Sequence, residues 1–233
     1  MNIAEKTLRL KTDLDDVYQA GKKAEYDAFW DEAFKNGESW IYRFAGYCWT
    51  DKTFKPTQDL IATGNSNSIF NNSLITDLTA ILNKCGVILD VSQAISVSGL
   101  FTYSRVTRVP FLDCRNCTTI NNSFYSATEV IEIEGIAINE NCNVNSAFGN
   151  CKKLEKLIMS GTIGQKGFDV HWSTKLSADS LKSIINALST TTTGLTITLP
   201  TTAQSNYEAV YGSGSWATLV ATRSNWTIAY VKA

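Results

Sequence analysis

The chain reads Ser146-Ala-Phe148-Gly-Asn-Cys-Lys-Lys-Leu154-Glu-Lys-Leu157 near its middle, and three variants of this phrase precede it. Each copy has small or polar residues around a Phe, followed by two aliphatic residues that are three positions apart. The earlier copies place their Phe at positions 70, 101 and 124, so the spacings are 31, 23 and 24 residues. A period in the twenties, in units too small to bury their own apolar face, is typical of a solenoid.

Each repeat is predicted to contain a Phe plug, a short turn or helical segment, and then a strand. We expect a helix over 74–84 and strands over 87–91, 106–112, 130–136 and 154–159. Adjacent strands of a solenoid pair in parallel, so the side chains on their outer side form one continuous ribbon. This ribbon is the predicted binding face, and its residues are Thr107, Arg108, Glu132, Glu134, Glu155 and Lys156.

The N-terminal segment is predicted to be a long helix over residues 2–36, because helix formers dominate it and Asn36-Gly37 supplies a stop signal. Apolar or small residues recur in it with alternating spacings of four and three, which is the pattern of a coiled coil. We therefore predict an oligomerisation helix, forming a trimer or dimer through Leu10, Leu14, Val17, Gly21 and Ala24. The alternative is an amphipathic helix that lies along its own domain.

The segments on either side of the repeats are predicted to be caps. Residues 40–64 contain six aromatic residues, which we interpret as a cap on the first repeat; a stacking platform for bases or sugars is the alternative. After the repeats we expect a helix over 176–188, a strand over 195–199, a second helix near 216–222 and a strand over 226–231. The predicted domains are a helix (1–37), an aromatic N-terminal cap (38–66), the repeats (67–167) and a C-terminal cap (168–233). The predicted fold class is α+β: a repeat solenoid with a short parallel sheet, a long N-terminal helix and caps at both ends.

Composition narrows the range of partners. The formal net charge of −1 gives no electrostatic reason to expect a nucleic acid. No apolar run approaches the length of a membrane span, so membrane insertion is not expected. The N-terminus lacks the basic start and apolar stretch of a secretory signal, which predicts a protein that is made in the cytoplasm and not exported by the general route.

The candidate chemical residues are few. Six cysteines stand at positions 48, 85, 114, 117, 142 and 151. Cys114, Cys117, Cys142 and Cys151 could form a zinc site, but their spacing is unusual for one. We prefer to interpret the cysteines as small buried thiols at equivalent turns of successive repeats. The single histidine, His171, is interpreted as a turn residue with one hydrogen-bond partner rather than as a general base. We therefore predict no catalytic residues, no metal, no cofactor and no enzymatic activity.

The phrase around Phe148 resembles the leucine-rich repeats of the BspA-like type, in which Ala-Phe is followed by Cys at three and Leu at six and nine. The repeat of Phe124 has Ala127 in place of that Cys, and in the first two repeats the segment between the Phe and the first aliphatic residue is one residue shorter. The flanks, as in Val17-Tyr-Gln-Ala-Gly-Lys-Lys-Ala-Glu-Tyr and Trp172-Ser-Thr-Lys-Leu-Ser, are similar to leucine-rich repeat proteins encoded by phages and prophages of gut Firmicutes.

The resemblance implies a leucine-rich repeat solenoid and a virion or phage-associated protein. The missing signal peptide fits this role, because virion proteins leave the cell by lysis. The expected function is that of a structural or host-surface-binding component at the tail tip or capsid surface, anchored through the N-terminal helix. Its expected partners are other virion proteins or itself, and a host cell-surface protein or glycan. The alternatives are a bacterial protein–protein interaction adaptor that uses the same solenoid face and, less favoured, an unrecognised hydrolase.

Overall fold

The computed structural model describes residues 49–52, 54–56 and 58–233. This part of the chain is a mixed α/β structure with small parallel sheets. The eight strands of the described residues are β1 (Leu60–Asn65), β2 (Leu89–Ser96), β3 (Arg108–Val109), β4 (Leu112–Cys114), β5 (Glu132–Ile138), β6 (Lys156–Gly161), β7 (Leu195–Pro200) and β8 (Trp226–Val231). Their four helices are α1 (Leu78–Cys85), α2 (Ala178–Ala187), α3 (Ala203–Tyr211) and α4 (Ser215–Ala221).

Successive turns of the chain lie in parallel register with one another. β5 is the central strand: its first residues pair with β3, its last residues pair with β4, and β6 pairs along its other edge. β1 pairs with β2, and β7 pairs with β8, again in parallel. Single bridges continue the alignment between these sheets, as at Ser96, Thr119 and Asn143. The predicted mixture of helices with short parallel strands is therefore confirmed.

The Phe residues of the four repeats form one buried stack. The ring centroids of Phe70 and Phe101 are 5.1 Å apart, those of Phe101 and Phe124 are 5.1 Å apart, and those of Phe124 and Phe148 are 5.7 Å apart. Neighbouring rings are within 19° of parallel, and all four side chains are buried. The prediction that Phe101, Phe124 and Phe148 are stacked core residues is confirmed.

Aromatic residues cover both ends of this stack. Trp49 and Phe54 are buried against Phe70, with ring centroids 5.1 and 5.6 Å from its ring. Phe168 lies 5.6 Å from Phe148 at the other end. Because Trp49 and Phe54 are buried, neither is available to stack on a base or a sugar. The other aromatic residues of the predicted cap, from Trp40 to Tyr47, lie outside the described residues, as does the predicted helix with Leu10, Leu14, Val17, Gly21 and Ala24.

Each Phe is held between two residues with left-handed backbone conformation. Two positions before the Phe stand Ser68, Gly99, Asn122 and Ser146, with φ between 52° and 66°. Two positions after it stand Asn72, Tyr103, Ser126 and Asn150, with φ between 56° and 62°. In the first three repeats both residues donate their N–H to a carbonyl of the following turn, as does the Phe between them. This geometry explains why small and polar residues surround the Phe, since Gly and Asn adopt positive φ most readily.

Several predicted bounds are wrong. The first helix begins at Leu78 rather than at 74, because Leu74 donates its N–H to the Trp49 carbonyl and Asp77 caps the helix by accepting from the Ala80 N–H. The strand expected over 106–112 is interrupted at Pro110, which has no N–H to donate. The strands expected over 87–91, 130–136 and 154–159 each begin two residues later. β1 and α3 were not predicted.

The C-terminal elements agree more closely with the sequence. α2 begins after Ser177, whose side chain caps the helix by accepting from the Ser180 N–H, and β8 has the predicted bounds. α2 packs on β6, and the Ser180 hydroxyl accepts from the Leu157 N–H. Among the described residues, no helix combines the length and hydropathy needed to cross a membrane.

Candidate binding site

The predicted ribbon lies on the exposed side of three paired strands. Arg108, Glu132 and Lys156 stand opposite one another on β3, β5 and β6, and Asp77 bridges to Arg108 from the preceding turn. Arg108 Nε lies 3.1 Å from Glu132 Oε2, and Lys156 Nζ lies 2.5 Å from Glu132 Oε1. A longer contact of 3.6 Å joins Arg108 Nη1 to Asp77 Oδ2. The four side chains thus form an alternating charge ladder across the turns.

The charge ladder, defined as Asp77, Arg108, Glu132 and Lys156, compensates its own charges. The hydrogen bond that Lys156 donates, together with the positive charges of Lys156 and Arg108, holds the pKa of the Glu132 carboxyl below its usual value. A fully paired carboxylate has little left to offer a ligand. The ladder therefore contributes mainly to holding the turns in register.

The remaining ribbon residues differ in the contacts that their side chains make. The Thr107 hydroxyl donates to the Thr76 carbonyl, and Glu155 lies 3.7 Å from Lys175. Glu134 is half-buried and has no ion pair within the described part of the chain. Of the predicted ribbon, Arg108, Glu155 and Lys156 are exposed and the other three residues are half-buried. Most of the polar groups of the ribbon are engaged within the chain.

A second exposed feature lies at the turn edge, next to the Phe stack. Tyr103 is 55% exposed and Tyr125 is 37% exposed, and their rings meet edge to face with centroids 5.9 Å apart. We call this pair the tyrosine ridge. Both tyrosine side chains are exposed to solvent, whereas the Phe residues beside them are buried. Exposed bulky aromatic residues of this kind are expected at a contact surface.

The backbone holds the tyrosine ridge in an uncommon conformation. Tyr103 has φ 56°, which Asn, Ser or Gly tolerates better than an aromatic residue does. Its N–H donates to the Tyr125 carbonyl over 3.0 Å, so the next turn holds this conformation in place. Asn72 and Asn150 occupy the equivalent position in the first and fourth repeats with almost the same φ. Strained residues of this kind are concentrated at functional sites.

Glycine makes room for the second ring of the ridge. A Cβ placed on Gly149 would lie 2.8 Å from Tyr125 Cδ2, so the Tyr125 ring rests directly on the Gly149 backbone. The Tyr125 ring thus contacts the Gly149 backbone on one face and the Tyr103 ring at its side. Its orientation is set by the protein before any ligand arrives.

A groove lies on each side of Tyr103. The first groove has a volume of about 530 Å³ and is lined by Asn67, Ser68, Ser98, Gly99, Thr102, Tyr103, Asn122 and Tyr125. The second groove has a volume of about 760 Å³ and is lined by Thr76, Tyr103, Ser104, Arg105, Thr107, Ser126, Thr128, Glu129 and Asn150. Thr107 of the predicted ribbon thus lines the second groove, so the ribbon and the ridge border the same depression.

Four of the described cysteines lie in the interior. Cys114, Cys117, Cys142 and Cys151 are buried free thiols. Cys151 Sγ donates to the Phe124 carbonyl over 3.0 Å, and Cys117 Sγ donates to the Ala94 carbonyl over 3.3 Å, so both link one turn to the one before it. Burial raises the pKa of the Cys142 thiol to about 12. Within the described residues, no three His, Cys, Asp or Glu side chains are grouped so as to hold a metal ion.

His171 has the predicted turn environment. Its backbone N–H donates to Asp169 Oδ1 over 2.9 Å, and its Nδ1 lies 2.7 Å from the same oxygen. Its ring also packs on Trp172, with centroids 4.6 Å apart. The interpretation of His171 as a turn histidine bonded to one residue is confirmed.

No protein-family model, curated protein or solved structure matches this chain. The tyrosine ridge is the feature that sequence reasoning missed. A signal for it is present, because Tyr103 stands where two other repeats have Asn, and Tyr125 stands where the next repeat has Gly149. Substitution of a large aromatic residue at a turn position that otherwise holds small or polar residues marks a surface role.

Proposed function

We propose that this protein is a non-enzymatic leucine-rich repeat solenoid that serves as a binding component of a phage virion. In this proposal it sits at the tail tip or capsid surface and contacts the host cell surface. The solenoid assignment is supported by the stacked Phe residues and by the parallel register of successive turns. The virion assignment is supported by the sequence resemblance of the repeats and flanks.

The observation that carries the binding role is the tyrosine ridge. Tyr103 is exposed and has a left-handed backbone conformation that aromatic residues rarely adopt. It lies between two grooves, next to the buried Phe stack. A residue with no external role would be replaced by Asn at this position at no structural cost, as in two of the other repeats. The ridge is therefore the part of the surface that we assign to the host contact, and the second groove extends it towards Thr107 of the ribbon.

The host contact is tested by binding of the fluorescently labelled full chain to cells of gut Firmicutes. The expected result is saturable binding that falls at least tenfold in the Tyr103→Asn, Tyr125→Thr double variant. These replacements copy Asn72 and Thr102 from equivalent positions of the chain, so we expect the fold to be retained. Phe111→Ala, which removes an exposed aromatic residue from the sheet side, is the matched control and should bind normally.

The virion assignment is tested by inducing the strain that carries the gene and analysing the purified phage particles by mass spectrometry. Absence of the protein from these particles would contradict the assignment. Binding to a purified intracellular protein instead, with the same dependence on Tyr103, would favour the alternative of a bacterial interaction adaptor.

A further inference from the structure

The first groove is lined entirely by residues without formal charge. Its walls carry amides from Asn67 and Asn122, hydroxyls from Ser68, Ser98 and Thr102, and the two tyrosines. A nucleic acid or a sulfated chain binds through its negative groups and requires Lys or Arg, and no Lys or Arg of the described residues lines this groove. The lining instead matches a ligand that is itself neutral and rich in hydrogen-bonding groups.

Several of these polar groups are free to bind a ligand. Asn67 Oδ1 accepts from the Ser96 hydroxyl and the Ser98 N–H, which fixes the amide. Among the described residues, its Nδ2 has no hydrogen-bond acceptor. The Ser68 hydroxyl and the Asn122 side-chain amide make no hydrogen bond within the part of the chain that the structure describes. In contrast, the Ser98 and Thr102 hydroxyls donate to the Asn121 and Asn122 carbonyls and so hold the groove wall together.

The tyrosine ridge supplies the apolar part of the same site. An exposed Tyr ring offers a flat apolar face with a hydroxyl at its tip, and a pyranose ring offers a matching face of C–H groups with hydroxyls around its rim. Amides can both donate to and accept from such hydroxyls. The groove volume of about 530 Å³ lies within the range of sites for small molecules. Aromatic faces next to free amides and hydroxyls, without charge, are the features that a neutral sugar requires.

We propose that the first groove and the tyrosine ridge bind an uncharged oligosaccharide, with a sugar ring packed on Tyr103 or Tyr125 and its hydroxyls bonded to Asn67, Ser68 and Asn122. This inference rests on the proposed host-binding function, because it names the class of the receptor. The site is formed in advance: the Tyr103 N–H is bonded to Tyr125, and the Tyr125 ring rests on Gly149. Little conformational freedom is lost when a sugar binds there.

The test uses the full chain and an array of neutral oligosaccharides, namely hexamers of glucose, mannose, galactose, rhamnose and N-acetylglucosamine, with sialylated and sulfated chains for comparison. The expected result is binding to at least one neutral class, quantified by calorimetry, and no gain from added charge. Tyr103→Asn and Tyr125→Thr should each weaken this binding at least tenfold. Gly149→Ala should weaken it several-fold by displacing the Tyr125 ring, although Gly149 itself touches no ligand in this proposal.

The control variant is Phe111→Ala on the sheet side, which should bind the sugar as the unchanged chain does. Circular dichroism and melting of every variant confirm that the fold is kept. Binding that is unchanged in Tyr103→Asn and Tyr125→Thr, or restricted to charged chains, overturns the assignment of the site.

The failure of this inference can be told apart from failure of the proposed function. A protein receptor would be shown by cell binding that depends on Tyr103, is lost after protease treatment of the cells and is not competed by any neutral oligosaccharide. This result overturns the inference and leaves the host-binding function in place. Sugar binding without cell binding supports the inference and counts against the host-binding function. Absence of both overturns both.

Discussion

The rings of Phe101 and Phe124 lie 5.1 Å apart and within 19° of parallel, although the residues are separated by a complete turn of the chain. Each ring is buried, and each sits between two left-handed residues whose N–H groups bond to the next turn. The same arrangement continues to Phe70 on one side and Phe148 on the other. One side chain per turn thus sets the spacing of the turns and fills the space between them.

Truncation of Phe124 is expected to be severely destabilising. Phe124→Ala leaves a cavity between two neighbouring rings and should lower the free energy of unfolding by about 3–5 kcal/mol. Urea unfolding followed by circular dichroism measures this loss. Phe111→Ala removes the same side chain from a half-exposed position, so its loss should be much smaller. Equal effects in the two variants would show that the Phe stack is not the core of the repeats.

The left-handed conformation of Tyr103 predicts an order of stability among its variants. Tyr103→Asn and Tyr103→Ala both remove the ring, but Asn tolerates positive φ better, so the Asn variant should be more stable by about 1 kcal/mol. Thermal and urea unfolding give the comparison. Tyr125, whose φ is not positive, provides the control pair, and its Asn and Ala variants should lack this preference. The same preference at both positions would argue against backbone strain at Tyr103.

The charge ladder predicts a stability loss in acid. Because the folded-state pKa of Glu132 is held below its unfolded value near 4.5, its contribution is complete above that pH and is lost as the pH falls through the folded pKa. Glu132→Gln should therefore reduce stability by about 1 kcal/mol at pH 7 and low salt, with a smaller effect below pH 4. Added salt should shrink the difference, since Arg108 and Lys156 are about half exposed.

The control for the charge ladder is Glu134→Gln, on the same strand. It removes the same charge from a carboxylate that has no ion pair within the described residues. The stability difference between the Glu134→Gln variant and the unchanged chain should therefore depend less on pH than the difference for Glu132→Gln. A Glu132→Gln protein whose stability follows that of the unchanged chain from pH 3 to pH 7 would show that the ladder contributes nothing.

The cysteines are expected to be free thiols with very different reactivities. In denaturant without reductant, alkylation should modify all six, and two or more missing modifications would contradict the free-thiol interpretation. In native buffer, Cys85, which is half-buried, should react well before Cys142 and Cys151, whose pKa values are raised by burial. Peptide mapping after timed labelling gives the order. Cys85→Ser should remove the fast modification among the described cysteines.

The N-terminal segment is expected to assemble the protein. If residues 3–28 form the predicted coiled coil through Leu10, Leu14 and Val17, the full chain should be a trimer or dimer, whereas a chain that begins at about residue 38 should be a folded monomer. Light scattering on both forms decides the matter. A full chain that remains monomeric at tens of micromolar would favour the alternative, a helix that lies along its own domain.

The sequence alone determines the periodic part of this protein. Phe, followed by two aliphatic residues at fixed spacing, is enough to predict which side chains are buried, because a repeated apolar pattern has to stack on itself. Ser177 before α2, and the alternation of apolar and polar residues within β7, likewise define local structure through short-range bonds and patterning. These features depend on residues close together in the chain.

Only the tertiary structure decides features that depend on which residues meet across turns. Leu60–Asn65 becomes a strand because β2 pairs with it, and the first helix starts late because Leu74 bonds to Trp49. The pairing of Arg108 with Glu132 and Lys156 turns an apparent binding ribbon into a self-compensated ladder. Tyr103 and Tyr125 are 22 residues apart in sequence and form one ridge only because the turns are stacked with Gly149 beneath them. Such contacts are set by the register between turns, and no local pattern of residues encodes that register on its own.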